Sequence, residues 1–202
     1  VLTAIFGEWK SPRPWVRIPS AFHDQPATSI AIETPDKANA MFLGGINLNL
    51  RDDDPDYAAL LLGNEVLGGG FLNSRLATRI RQKDGISYGV GSFLSVSSED
   101  KASRFMGYAI YAPENAARVE AAFREELERV AREGITQDEL DKARQGWLQN
   151  QQVGRANDGQ LAGDLQGKVY LGRTMAFDAD LERRVAGLTL QQVNGALQRY
   201  LD

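Results

Sequence analysis

The chain has 202 residues, 43% hydrophobic and 25% charged, with a formal net charge of -4; this is the balance of one globular domain with a sizeable core. So small a charge carries no basic footprint for a nucleic acid and no acidic tail for a basic partner. Cysteine is absent, which excludes disulfides, thiolate nucleophiles and thiolate metal sites. No window reaches the roughly 18 uninterrupted apolar residues of a membrane span, and the first residues do not read as a signal peptide.

Residues 1–27 hold four of the seven prolines (Pro12, Pro14, Pro19, Pro26) and no sustained periodicity. They are expected to form an extended connector from the upstream part of a longer protein, with Trp9 and Trp15 pinning it to the domain body formed by residues 28–202. Two apolar runs follow, Ser29 to Thr34 and Ala40 to Leu50, both read as strands. Asp54-Pro55 then opens a buried helix, Tyr57 to Leu67, that runs into Gly68, Gly69 and Gly70. Three glycines forgo helix propensity, so the element ends there.

Asn73 and Ser74 suit the N-cap of a short helix with Leu76 and Ile80 inward, and Asp84-Gly85 makes a turn. From Ile86 the pattern alternates, with Tyr88, Val90 and Leu94 on the apolar side; Arg104 to Tyr111 is the next strand, and the short polar link between them implies an antiparallel hairpin. Pro113 to Glu133 is the clearest helix. Ala116, Val119, Phe123, Leu127 and Val130 form its apolar stripe, backed by i,i+4 pairs such as Glu120/Arg124 and Glu125/Arg129. Thr136 with Glu139 makes a capping box for a helix reaching about Gln152. Asp158 to Leu171, Asp180 to Ala186 and Thr189 to Leu201 complete a helical C-terminal half. Strands first and helices after predict an α+β fold of two layers, one mainly antiparallel sheet covered by helices.

Groups able to do chemistry are few. His23 is the sole histidine and stands in the connector, so a histidine zinc site or a Ser-His-Asp arrangement is not expected. Asp52, Asp53 and Asp54 precede a helix and read as dipole and capping material. The arginines Arg75, Arg79 and Arg81 read as a solvated helix face, and Tyr88 as core. The glycine triplet fits neither the P-loop nor the dinucleotide pattern, which leaves anion binding there a weak alternative.

The stretch Leu67 to Val96, LGGGFLNSRLATRIRQKDGISYGVGSFLSV, resembles the signature of insulinase or pitrilysin-type zinc peptidases, in the half that does not carry the metal. The resemblance extends from Phe6-Gly7-Glu8-Trp9 through Thr136, Glu139 and Leu140 to Thr189-Leu190-Gln191-Gln192-Val193. It implies a domain of the LuxS and mitochondrial-processing-peptidase type, paired with a homologous catalytic domain, fused or separate, across an enclosed chamber. The H-x-x-E-H motif of the catalytic half is missing, and the helix Tyr57 to Leu67 offers Glu65 but no histidine. The resemblance thus implies no metal or catalytic residue in this domain alone, with zinc held by the partner domain. It implies that Arg81 holds the backbone of a peptide substrate, that Tyr88 stabilises the tetrahedral intermediate, and that Gly68, Gly69 and Gly70 help handle substrate. A scaffold module without a proteolytic role is the alternative. The compartment stays open, periplasm or cytoplasm if bacterial.

Overall fold

A computed structural model describes residues 1–201. A short helix α1 (Leu2–Phe6) precedes a long irregular segment, and the sheet begins with β1 (Ala40–Leu48). Helix α2 (Tyr57–Asn64) passes directly into a π-helical turn, Glu65–Gly69, followed by a 3-10 turn, Phe71–Asn73, and a second π-helical segment, Ala77–Lys83. Strands β2 (Gly89–Ser95) and β3 (Ser103–Tyr111) form the hairpin. Then come α3 (Ala116–Glu133), α4 (Gln137–Arg155), α5 (Asp158–Tyr170), α6 (Ala176–Gly187) and α7 (Leu190–Leu201).

The three strands pair antiparallel in the order β1-β3-β2, with Ala40 opposite Tyr111 and Gly89 opposite Ile110. Period-two alternation sends Phe105, Ala109, Tyr111 and Val90 into the core. There they meet the α3 stripe, of which Val119, Phe123 and Val130 are buried while Leu127 is half-buried and Ala116 exposed. The Phe123 ring lies at 5.0 Å from that of Phe42, and this packing is possible because Gly107 of β3 carries no Cβ. An added one would stand 2.9 Å from two ring atoms of Phe123 and nearer still to a third. α7 closes the core behind α2 and α3 with Val193, Ala196 and Leu197. The opposite face of the sheet presents Met41 and Leu43, both 57% exposed, and Phe93 to solvent.

Capping chemistry sets the helix starts as the sequence implies. The Thr136 hydroxyl accepts from the Glu139 N–H at 3.3 Å while the Thr136 N–H donates to the Glu139 carboxylate at 2.7 Å. Thr189 and Gln192 exchange the same pair of bonds at the head of α7. Helix α2 starts at Tyr57 as read, but its cap position is Asp56, two residues past Asp54, which instead accepts from the Asp56 N–H in the preceding turn. On α3 the Glu120–Arg124 pair forms at 3.2 Å, but Arg129 turns to the buried Glu126 and Glu125 to Arg79.

Two expectations fail. Ser29 to Thr34 forms no strand: Ile30 and Ile32 are exposed, since no second layer lies there for a strand to bury against. A turn follows the segment, with the Lys37 N–H on the Thr34 carbonyl at 3.0 Å, and ahead of it the Asn47 amide of β1 donates to the His23 carbonyl at 2.9 Å. Trp9 and Trp15 pin nothing, being 72% and 76% exposed. A charge holds the connector instead. Arg17 donates both guanidinium nitrogens to Asp100 at 2.6 Å, and the Ser20 N–H adds a third bond to the same carboxylate. These bonds hold the Asp100 carboxyl down at about 2. Further along, the buried Asp52 receives Arg173 bidentately and the Ser98 hydroxyl. Burial pushes its carboxyl up, but those donors outweigh it and the net shift is downward.

Candidate functional site

The site is built where the α2 helix loses its register. The chain widens into a π-helical turn at Glu65–Gly69, a geometry that recurs at functional positions because it re-aims side chains at the cost of poorer backbone bonding. Gly68 is buried with its backbone against β2; a Cβ there would fall 2.8 Å from Cβ of Ser92 and closer still to the Ser92 nitrogen and hydroxyl. The same hydroxyl donates to Asn64 at 2.8 Å. Gly68 is therefore a close-approach residue, while Gly69 is exposed and Gly70 half-buried. The Gly70 N–H is already spent on the Glu65 carbonyl at 2.8 Å.

Ser74 caps the next helix as its type suggests, its hydroxyl accepting from the Ala77 N–H and donating to the Phe71 carbonyl. The helix then widens at Ala77–Lys83, and this second π-helical segment carries Arg81. Its neighbours are not the solvated face expected of them. Arg75 forms a bidentate pair with Glu139 at 2.7 Å, and Arg79 pairs with Asp84 at 3.1 Å and Glu125 at 3.0 Å. Burial pushes the Glu139 carboxyl up; the bonds from Arg75 and Thr136 overcome this and bring it down to about 2.

Arg81 alone of the three is free. Among the described residues it enters no ion pair, and its guanidinium lies 5.9 Å from the centre of the Tyr88 ring. Tyr88 is 82% exposed, which corrects its reading as core. It shares the parity of buried Val90, but it precedes the first residue of β2, at the end of the sheet, where its N–H still donates to the Ile110 carbonyl at 2.9 Å. Arg81 and Tyr88 are thus brought together at the surface, a cation and a phenol both directed outward. Periodicity could not have shown this; the family signature, with their spacing across the Asp84-Gly85 turn, pointed to it.

These residues do not fit a metal. Among the described residues no group of three or more His, Cys, Asp or Glu side chains converges on one point. Glu65 lies half-buried without a cationic partner, and burial pushes its carboxyl up; His23 sits in the connector, beside β1. No helix among the described residues is long and apolar enough to cross a membrane.

Comparison with known proteins shows the family and the fold. The sequence profile of the family described as "Peptidase M16 inactive domain" matches residues 1–146. An uncharacterized zinc protease of Streptomyces coelicolor is 33% identical over 153 residues, 75% of this chain and 32% of that protein. A Helicobacter pylori protein named as a non-peptidase homolog is 23% identical over 83% of the chain and 38% of its own length. The chain thus spans about a third of these relatives. Among solved structures, an M16 inactive domain from Pseudomonas fluorescens superposes with a TM-score of 0.70 at 28% identity, over 82% of this chain and 38% of that one. A protease from Helicobacter pylori gives 0.73 at 19% identity over 84% and 40%, a likeness of fold.

Proposed function

We propose, from the premise that this chain belongs to the family of M16 peptidase inactive domains, that it is the substrate-binding half of a chambered zinc endopeptidase. The zinc, its ligands and the general base belong to a homologous catalytic domain, fused or separate. The observation that carries this reading is the outward-facing pair of Arg81 and Tyr88, unpaired otherwise and set on a pinned turn. A guanidinium left without an ion pair among the described residues of its own fold suits the carbonyl oxygens of an extended peptide, for which it offers several donors in one plane. A phenol aimed at the scissile carbonyl donates to the oxygen as it gains charge, an interaction stronger in the transition state than before it. Of the glycine run, the exposed Gly69 and half-buried Gly70 are the two whose backbone a peptide could approach.

The test is cleavage of an unstructured fluorogenic peptide by the complete protease. Arg81→Ala and Tyr88→Phe are each expected to lower kcat/KM at least about tenfold, or roughly 1.4 kcal/mol, with zinc content and thermal stability unchanged. Rates equal to those of the unsubstituted enzyme would refute the assignment. They would favour the second reading, a scaffold of the same fold without a part in proteolysis, which the non-peptidase name of the Helicobacter relative supports.

A further inference from the structure

The glycine run ends on an anomaly. Among the described residues Phe71 is the only one other than glycine with positive φ, at 52°. For a side chain with a Cβ this left-handed conformation costs on the order of 1 kcal/mol or more. The side chain does not repay it by packing, since Phe71 is 74% exposed. Strain and apolar exposure therefore coincide in one residue.

The turn that displays this ring is firmly held. The Phe71 carbonyl accepts from the hydroxyl of the fully buried Ser74 at 2.8 Å. The adjacent Leu72 carbonyl accepts from the Gln82 amide at 2.6 Å. Gln82 is the residue after Arg81, so the pedestal under Phe71 is fastened to the segment that carries the guanidinium. A conformation over-determined by its surroundings and costly by itself is the pattern of a pre-organised binding element.

We propose that Phe71, with the partly exposed Leu72 beside it, forms an apolar specificity subsite. It accepts one large aliphatic or aromatic side chain of the extended peptide whose backbone Arg81 holds. The inference rests on the reading of Arg81 given above. A phenylalanine ring offers no hydrogen bond, so it selects by desolvation and shape. The ring takes side chains that are themselves costly to leave in water.

The complete protease is assayed on a set of serine-rich unstructured peptides in which a single Phe is moved through the positions flanking the scissile bond. The unsubstituted enzyme is expected to prefer Phe over Ser at one position by at least about tenfold in kcat/KM, the scale of a good apolar contact. Phe71→Asn tolerates the left-handed backbone, keeps the turn and should bring that preference to within about twofold of parity without lowering Tm. Phe93→Ser, which removes an exposed ring from the open sheet face, retains the preference. Survival of the preference in Phe71→Asn, absence of any preferred position, or an equal loss on every peptide would overturn the subsite. Arg81→Ala separates the two readings, because it should slow every peptide alike. If it does not, while Phe71→Asn still abolishes the preference, the role of Arg81 falls and the subsite stands.

Discussion

Replacing Gly68 by alanine tests whether the glycine run serves packing. The new methyl would overlap the backbone nitrogen and hydroxyl of Ser92 and lie 2.8 Å from its Cβ. Ser92 belongs to β2, which among the described residues pairs only with β3, so relief requires the π-helical turn to lift away or the strand to shift. Overpacking of this kind costs about 1–3 kcal/mol. Against it stands a gain of up to about 1 kcal/mol from the better helix propensity of alanine. The net expectation is a loss of about 1–2 kcal/mol, seen in urea titration as a midpoint lowered by on the order of 0.5–1 M with unchanged m. A companion Ser92→Gly removes the hydroxyl and Cβ clashes but not that with the nitrogen, and it forfeits the bond to Asn64. A double-mutant cycle should therefore show partial coupling. A Gly68→Ala protein as stable as the unsubstituted one would refute close approach as the reason for this glycine. Interest would then return to a ligand cradle.

Gly107→Ala is expected to lift the Phe123 ring off the sheet and cost about 1–3 kcal/mol, read as a drop in Tm; an unchanged Tm would deny that α3 rests on this point. Glu139, lowered from 4.5 to about 2, contributes stability that is fully present above pH 4.5 and is lost as pH falls toward 2. At about 1.36 kcal/mol per pH unit the ceiling is about 3 kcal/mol, reduced by the partial exposure of both side chains. Urea midpoints at pH 7 and pH 3 should converge between the unsubstituted protein and Arg75→Ala, and identical acid slopes in the two would contradict this.

What could be read from sequence was what neighbours in sequence decide. The α3 stripe, the Thr136/Glu139 box and the β2–β3 hairpin depend on residues a few positions apart, and all three stand in the structure. The bidentate clasp of Arg75 on Glu139 joins residues 64 positions apart, so composition alone made Arg75 look solvated. Tyr88 misled for another reason: it stands between the buried Ile86 and Val90 but ahead of the first residue of β2, where strand alternation does not yet apply. The π-helical windings that carry Gly68 and Arg81 have no residue code of their own; Gly68 packs against Ser92 of β2, a neighbour distant in sequence. The family signature reached Arg81 and Tyr88, whereas Phe71 came to notice only through its backbone angle.

The outer edge of β1 has a colloidal consequence. Ala40–Leu48 contains no charged residue or proline, and it pairs on one side only among the described residues. Such an edge is a template for another chain, and nothing along it acts as a gatekeeper. Two copies meeting edge to edge through β1 would join their sheets into one of six strands. Lysine in place of the exposed Leu43 is the substitution that would interrupt that growth.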